Sequence, residues 1–413
     1  MTDDWMVRSL SQGKRRFFKG DIVLMSFQSW IFDRMTNPIR VYLDSSDFSN
    51  FSDPREDAAS LKVLRNKLLS WVEAGDIEIR YSMAHIMEAV PIDLDIPGLG
   101  RRRLNCIKEL CGKKVFADPI TLVSQELSGS NKVPLVNNEG HWFPSAGAIW
   151  DDETEGTPDP PKSRQQRRFE ISKLKKSKAN MDEVQEFLRE YPVKKRNALA
   201  MFSKPRSGEA VANALQNSVK DLGFLYDWYI ENWSRSTEYS KAVRGAGKEL
   251  SDLLTTAASE IKALHLTLMN SGVSGSEVQK QLMNHAKELA DKASQDMIDS
   301  LSEGRVSPEL KVKANLESTP SLYVFSKLLA QIFLSSAVAV KNTRKARDSD
   351  LGDLVHSMYV PYVDIFRADL ATASALHKAQ LGSNTRIVTS LEQLVVELES
   401  MVVARKSSEL GTG

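Results

Sequence analysis

The hydrophobic rhythm of the chain changes twice. Residues 39–43, Ile-Arg-Val-Tyr-Leu, form a β-branched and apolar run that ends at Asp44-Ser45-Ser46-Asp47. Such a run predicts a buried strand that delivers Asp44 at its carboxyl end. Residues 58–74 follow with Leu61, Leu64, Leu68 and Trp71 at helical spacing, closed by Gly75. Residues 77–81 alternate apolar and charged, as a short strand does, and Ser82 stands where it can cap a helix holding Ala84, Ile86, Met87 and Glu88. His85 and Glu88 fall on one face of that helix. Strand, helix, strand, helix is the opening of an alternating α/β unit. After the turn at 97–100 and Arg101-Arg102-Arg103, another stripe at Leu104, Ile107 and Leu110 predicts a helix, and residues 115–119 read as a third strand or edge segment.

The middle of the chain is different. Residues 128–161 are rich in Gly, Asn, Pro and acids, which predicts a long surface excursion at a domain boundary. Residues 182–233 are helical in pattern, with an aromatic face at Leu222, Leu225, Trp228, Tyr229 and Trp233. Two long helical stripes then run from Leu250 to Leu268 and from Val278 to Leu301, with two glycines between them. They predict an αα-hairpin whose stripes are core, projecting as a subdomain. His265 and His285 sit on its separate helices without further ligands and read as surface histidines.

After Pro308 the α/β character returns. Residues 321–340 are apolar but interrupted by Lys327, Gln331, Ser335 and Ser336, which fits a buried core helix better than a membrane span. Residues 362–366 read as a short buried strand after Pro361, 387–388 as a last one, and 391–403 as a closing amphipathic helix. Neither α/β half has enough strands to bury a sheet on both faces, so the two are expected to share one mostly parallel sheet. The expected divisions are an extension 1–40, a first half 41–127, a surface loop 128–161, a helical insertion 162–315, a second half 316–405 and a tail 406–413. Within the extension, Lys14-Arg15-Arg16 precedes Phe17-Phe18, and residues 21–27 are a strand candidate.

Composition narrows the classes. The 413 residues are 41% hydrophobic and 26% charged, an ordinary globular balance for two or three domains. A net charge of +1 excludes a polyanion binder by bulk charge, so any nucleic-acid surface has to be a local patch. One candidate is the run Lys162, Arg164, Arg167, Arg168, Lys173, Lys175, Lys176 and Lys178. It reads equally as a holder of a nucleic-acid backbone or protein partner and as a solvated linker. Cys106 and Cys111 lack zinc-site spacing, and sparse cysteine fits a reducing, cytoplasmic setting. No secretory segment follows the first basic residues, and no membrane partner is expected.

The candidate chemistry lies in carboxylates. Asp44 ends the first strand, Glu88 lies on the helix after the second, Asp353 starts a late helix, and Asp369 follows a late strand. Asp350 competes with Asp353, and Asp364 with Asp369, for the same roles. Capping and solvation account for such acids individually. Gathered in one cleft they repel, and a hard cation such as Mg²⁺ or Mn²⁺ relieves that repulsion. A metal-activated water needs no protein nucleophile, in keeping with the lack of a GxSxG or Cys–His motif.

Three motifs carry a resemblance: Val41-Tyr42-Leu43-Asp44-Ser45-Ser46, Ser82-Met83-Ala84-His85-Ile86-Met87-Glu88, and Asp353-Leu354-Val355-His356 with the segment from Pro361 to Asp369. Together they resemble the PIN-like nuclease family, over about 41–125 and 320–405. The resemblance implies a three-layer α/β sandwich with a mostly parallel central sheet, here interrupted by an all-α insertion. It implies a metal-dependent endoribonuclease whose acids are Asp44, Glu88, Asp353 and Asp369, holding Mg²⁺ or Mn²⁺ with Asp364 and Asp350 in reserve. Ser45 or Ser46 matches the small hydroxyl residue after the first acid, on the substrate side. RNA is the implied substrate; structured DNA, or a scaffold whose insertion binds a protein partner or a second copy, are the alternatives.

Overall fold

The structure is a computed structural model that describes residues 37–54, 59–89, 97–127, 178–202, 221–302, 314–337 and 345–411, with scattered positions between 163 and 218. The strand candidate at 21–27, the excursion 128–161 and Lys173, Lys175 and Lys176 lie outside the described residues.

Four parallel strands form one sheet in the order β2-β1-β3-β4. They are β1 (Ile39–Tyr42), β2 (Ile77–Arg80), β3 (Ile365–Arg367) and β4 (Arg386–Val388). In β1, Val41 pairs Ile79 of β2 on one side and Ile365 of β3 on the other. The two α/β halves therefore meet at the β1–β3 seam, more than 300 residues apart in sequence. The segment at 115–119 is a single parallel bridge, Tyr81 to Val115, rather than a strand. The run at 362–366 is divided: Val360–Tyr362 is one 3₁₀ turn around Pro361, and the strand starts at Ile365. Proline cannot donate to a ladder, which delays the strand past it.

Helices cover both faces. From the first half come α1 (Ser45–Ser52), α2 (Ala59–Ala74), α3 (Met83–Ala89), α4 (Pro97–Cys111) and α5 (Pro119–Leu127). The middle supplies α6 (Lys178–Glu190), α7 (Lys195–Phe202), α8 (Leu222–Glu231), α9 (Trp233–Asn270) and α10 (Gly275–Ser302). The last part gives α11 (Pro320–Ala337), α12 (Asp350–Ser357), α13 (Leu370–Ala379) and α14 (Leu391–Gly411). Gly75 and Gly112, both left-handed, end α2 and α4 where a side chain would be strained.

The alternation of β1 sorts two cores. Ile39, Val41 and Leu43 face one side, where they pack with Leu68 of α2, Leu104 and Ile107 of α4, Leu225 of α8 and Leu398 of α14. Tyr42 faces the other side, with Phe366, Leu328 of α11, Leu354 of α12 and Leu376 of α13. Each fully buried Leu or Ile contributes about 1.5–3 kcal/mol. Cys106 and Cys111 are free and buried in the first core as small hydrophobes.

The hairpin of α9 and α10 does not stand clear of this body. Leu254, Ala258 and Ile261 of α9 and Val278 of α10 are buried in the same core as Tyr42 and Leu328. The apolar stripes are core, but the facing surface is α11 as well as the partner helix. No described helix is long and apolar enough to cross a membrane.

Candidate active site

Beyond β1 the chain turns into α1, and β1 and β3 are neighbours whose following connections lead to opposite sides, to β2 and to β4. This is a topological switch point, where open parallel sheets leave a crevice at their carboxyl edge. Asp44, just past β1, caps α1 and accepts the Ser46 N–H at 2.7 Å. Asp47 reciprocates by accepting the Asp44 N–H at 3.0 Å, so two acids form a capping box. Asp47 is wholly buried, and its Oδ1 lies 2.9 Å from Arg367 Nη2 as an ion pair without hydrogen-bond alignment. Burial pushes the Asp47 carboxyl up to about 7 against the pull of Arg367. Arg367 also stands 3.5 Å from Asp44, so the last residue of β3 ties the ends of the two central strands together.

The Ser82 side chain is used differently from the expected cap. Its hydroxyl lies 2.6 Å from the Tyr42 hydroxyl, while its N–H donates to His85 Nδ1 at 3.0 Å. His85 therefore carries its proton on Nε2, which donates to the Leu43 carbonyl at 2.9 Å. Burial, with His356 beside it, depresses the imidazole to about 3, so His85 is a neutral structural link. Glu88, one turn along α3, reaches the mouth of the crevice and is 43% exposed.

From α12 comes a residue that sequence reasoning did not single out. His356 Nδ1 is 2.7 Å from the Tyr42 hydroxyl, and Nε2 is 3.4 Å from both Glu88 and the Ser45 hydroxyl. Burial works against its charged form, but Glu88, Asp44 and Asp353 outweigh it and raise its pKa. Burial likewise pushes Glu88 up, and His356, Ser45 and His85 overcome this and hold it at about 2. The i, i+3 spacing of Asp353 and His356 was the available signal, since it sets both on one helix face.

The rival acids separate by position. Asp353 lies under the crevice, and its carboxyl is pushed up to about 7, first by burial and then by Asp369. Asp369 caps α13 by accepting the Thr372 N–H at 2.6 Å and is exposed beside it. Asp350 is buried behind, accepting the Arg347 N–H at 3.0 Å at the start of α12. Asp364 precedes β3 and so belongs to the opposite edge of the sheet from Asp44. There it accepts the Arg40 N–H at 2.9 Å and pairs with the Arg40 guanidinium at 3.2 Å. Its expected reserve role at a metal does not agree with that placement: a buried carboxylate already answered by an arginine is a staple across the β1–β3 seam. Ser45 and Ser46 lie in the first turn of α1 at the crevice, and Lys178 opens α6.

Glu88, Asp353, Asp369 and Asp44 offer hard oxygen donors, the right chemistry for Mg²⁺ or Mn²⁺. After burial, Asp369 is the next cause of the elevated Asp353 carboxyl, and such repulsion is what an ion relieves. Their spacing is looser than a ligand set: among the described residues, no three His, Cys, Asp or Glu side chains are grouped closely enough to hold an ion. Comparison with known protein families, with curated proteins and with solved structures finds no match to this chain.

Proposed function

We propose that the chain is a metal-dependent phosphodiester hydrolase, a PIN-like endoribonuclease. The observation that carries this reading is the placement of Asp44, Glu88, Asp353 and Asp369, from four separate elements, around the carboxyl edge of one parallel sheet at its switch point. Glu88, Asp353 and Asp369 are the side chains that would hold the ion, and they would have to draw together to do so, with Asp44 across the crevice. Such an ion lowers the pKa of a bound water and offsets charge on the leaving oxygen. His356, locked by Tyr42 on one nitrogen, orients Glu88 and the Ser45 hydroxyl with the other. Arg367, 3.5 Å away, holds Asp44 in place at the end of β1. The resemblance, rather than any base-reading feature, supplies RNA over DNA.

The test is cleavage of single-stranded RNA and of flapped DNA by the full chain with Mn²⁺, Mg²⁺ or EDTA. The expected result is Mn²⁺- or Mg²⁺-dependent RNA cleavage that EDTA abolishes. Asp44→Asn and Glu88→Gln are each expected to lower it by about 100-fold or more while retaining the far-UV signal. Wild-type rates in both variants would remove the mechanism from these residues.

One observation favours a second reading. Arg367 already answers Asp44 and Asp47, and His356 already answers Glu88, so these three acids have partners within the chain. On that reading the protein is a scaffold on the same fold, acting through its helical insertion, and no cleavage appears with either ion.

A further inference from the structure

Beside the crevice, between α1, α3 and α4, lies a cavity of about 160 Å³. Its lining combines the apolar Phe48, Ala89 and Ile107 with the polar Ser46, Ser49 and Arg103. Ser45 and Glu88 belong to both the cavity and the crevice, so the two spaces are contiguous. We propose that this cavity is a base pocket that takes one pyrimidine of the substrate strand, next to the bond being cut.

Size is the first argument. A cavity of about 150 Å³ lined by apolar groups accepts a single six-membered ring. A purine's second fused ring would have to lie outside that space, in the open mouth of the cavity. Chemistry is the second. The apolar side chains supply a surface for the ring, while the hydroxyls meet its polar edge. Ser49 already donates to the Ser45 carbonyl at 3.2 Å, which leaves its oxygen free to accept. Arg103 spends one N–H on the Glu88 carbonyl at 3.3 Å and has others to donate. An arginine suits the O2 carbonyl that uracil and cytosine share, and a hydroxyl donates or accepts, so the pocket accepts both pyrimidines. Contiguity is the third argument. A base seated here leaves its sugar and phosphate at Ser45 and Glu88, on the acid side of the crevice.

The choice of a nucleic-acid base as occupant rests on the phosphodiesterase reading, so the experiment has two arms. In the first, the full-length protein without metal is titrated with UMP, CMP, AMP, GMP and inorganic phosphate, followed by calorimetry or ligand-observed NMR. UMP and CMP are expected to bind about tenfold or more tighter than AMP and GMP. Equal affinity for all four nucleotides, or binding matched by phosphate alone, would overturn the pocket. In the second, RNAs carrying one pyrimidine among purines are digested with Mn²⁺. Cuts are expected at one fixed register to the pyrimidine.

Ser49→Phe fills the cavity and is expected to reduce the pyrimidine-over-purine preference by about tenfold in both arms. Arg103→Met removes the donor from a half-buried position without filling the core, and is expected to act in the same direction. An unchanged preference in both folded variants would sink the proposal. Selective binding without cleavage would retain the pocket and reject the nuclease. Cleavage with no pyrimidine register would do the reverse.

Discussion

At the scale of single residues, Asp353 makes the sharpest thermodynamic statement. Its folded-state pKa of about 7 lies above the ordinary carboxyl value of 3.8, so the native state holds the proton more tightly than the unfolded chain. The resulting stability is fully present below about pH 4 and is lost as pH rises through about 7. Asp353→Asn should therefore be more stable than wild type above pH 7, by on the order of a few kcal/mol, and flatter between pH 4 and 7. Urea unfolding in EDTA across that range measures it, and Mn²⁺ should narrow the gap by stabilising ionised Asp353. Parallel stability curves would place Asp353 in water, away from Asp369. The residue types of the candidate site were legible in the sequence, because acids after strands and at helix starts are visible there. Which acids face one another was not: Asp364 and Asp369 look alike in sequence, and only the Arg40 partner across the seam separates them.

At the scale of elements, α9 is coupled to the acid-bearing helix through backbone. A Cβ added at Gly247 would lie 2.4 Å from the Asp348 carbonyl oxygen, two residues before α12 begins. Two residues earlier on the same helix, Gly245 has nothing within 4 Å of such a Cβ. The two glycines thus predict opposite signs. Gly245→Ala should stabilise by up to about 1 kcal/mol through helix propensity. Gly247→Ala carries the same gain but adds an overpacking cost of about 1–3 kcal/mol, for a net loss or at best no change. Chemical denaturation of the pair checks this, and equal gains in both would mean that α9 and α12 are not in close contact. Because α12 carries Asp353 and His356, Gly247→Ala should also lower any metal-dependent cleavage. Helical periodicity made α9 and α10 readable as a hairpin, but periodicity says only that a face is buried. It does not say against which neighbour, and here α11 takes part of that face.

At the scale of the whole molecule, the sheet is completed across more than 300 residues of chain. Ile365, Val388, Leu394 and Leu398 of the second half are buried in one cluster with Ile39, Val41, Ile77 and Ile79 of the first. A fragment of residues 37–127 retains only β1 and β2 and leaves β1 with an open edge. It should show no cooperative unfolding transition and no dispersed amide spectrum, since a two-stranded parallel pair cannot cover both faces. A sharp transition in the fragment would show that the first half is a domain by itself.

Local chemistry determined what could be read without coordinates: strand character from the β-branched run at 39–43, helix from the stripes, and carboxylates at element ends, because each depends on neighbours a few residues away. The strand order β2-β1-β3-β4, the pairing of Arg40 with Asp364, the insertion of His356 between Tyr42 and Glu88, and the cavity between α1, α3 and α4 were decided by tertiary structure alone. Each is a contact between segments whose separation carries no periodic signal, so its energy is expressed only when the chain closes on itself.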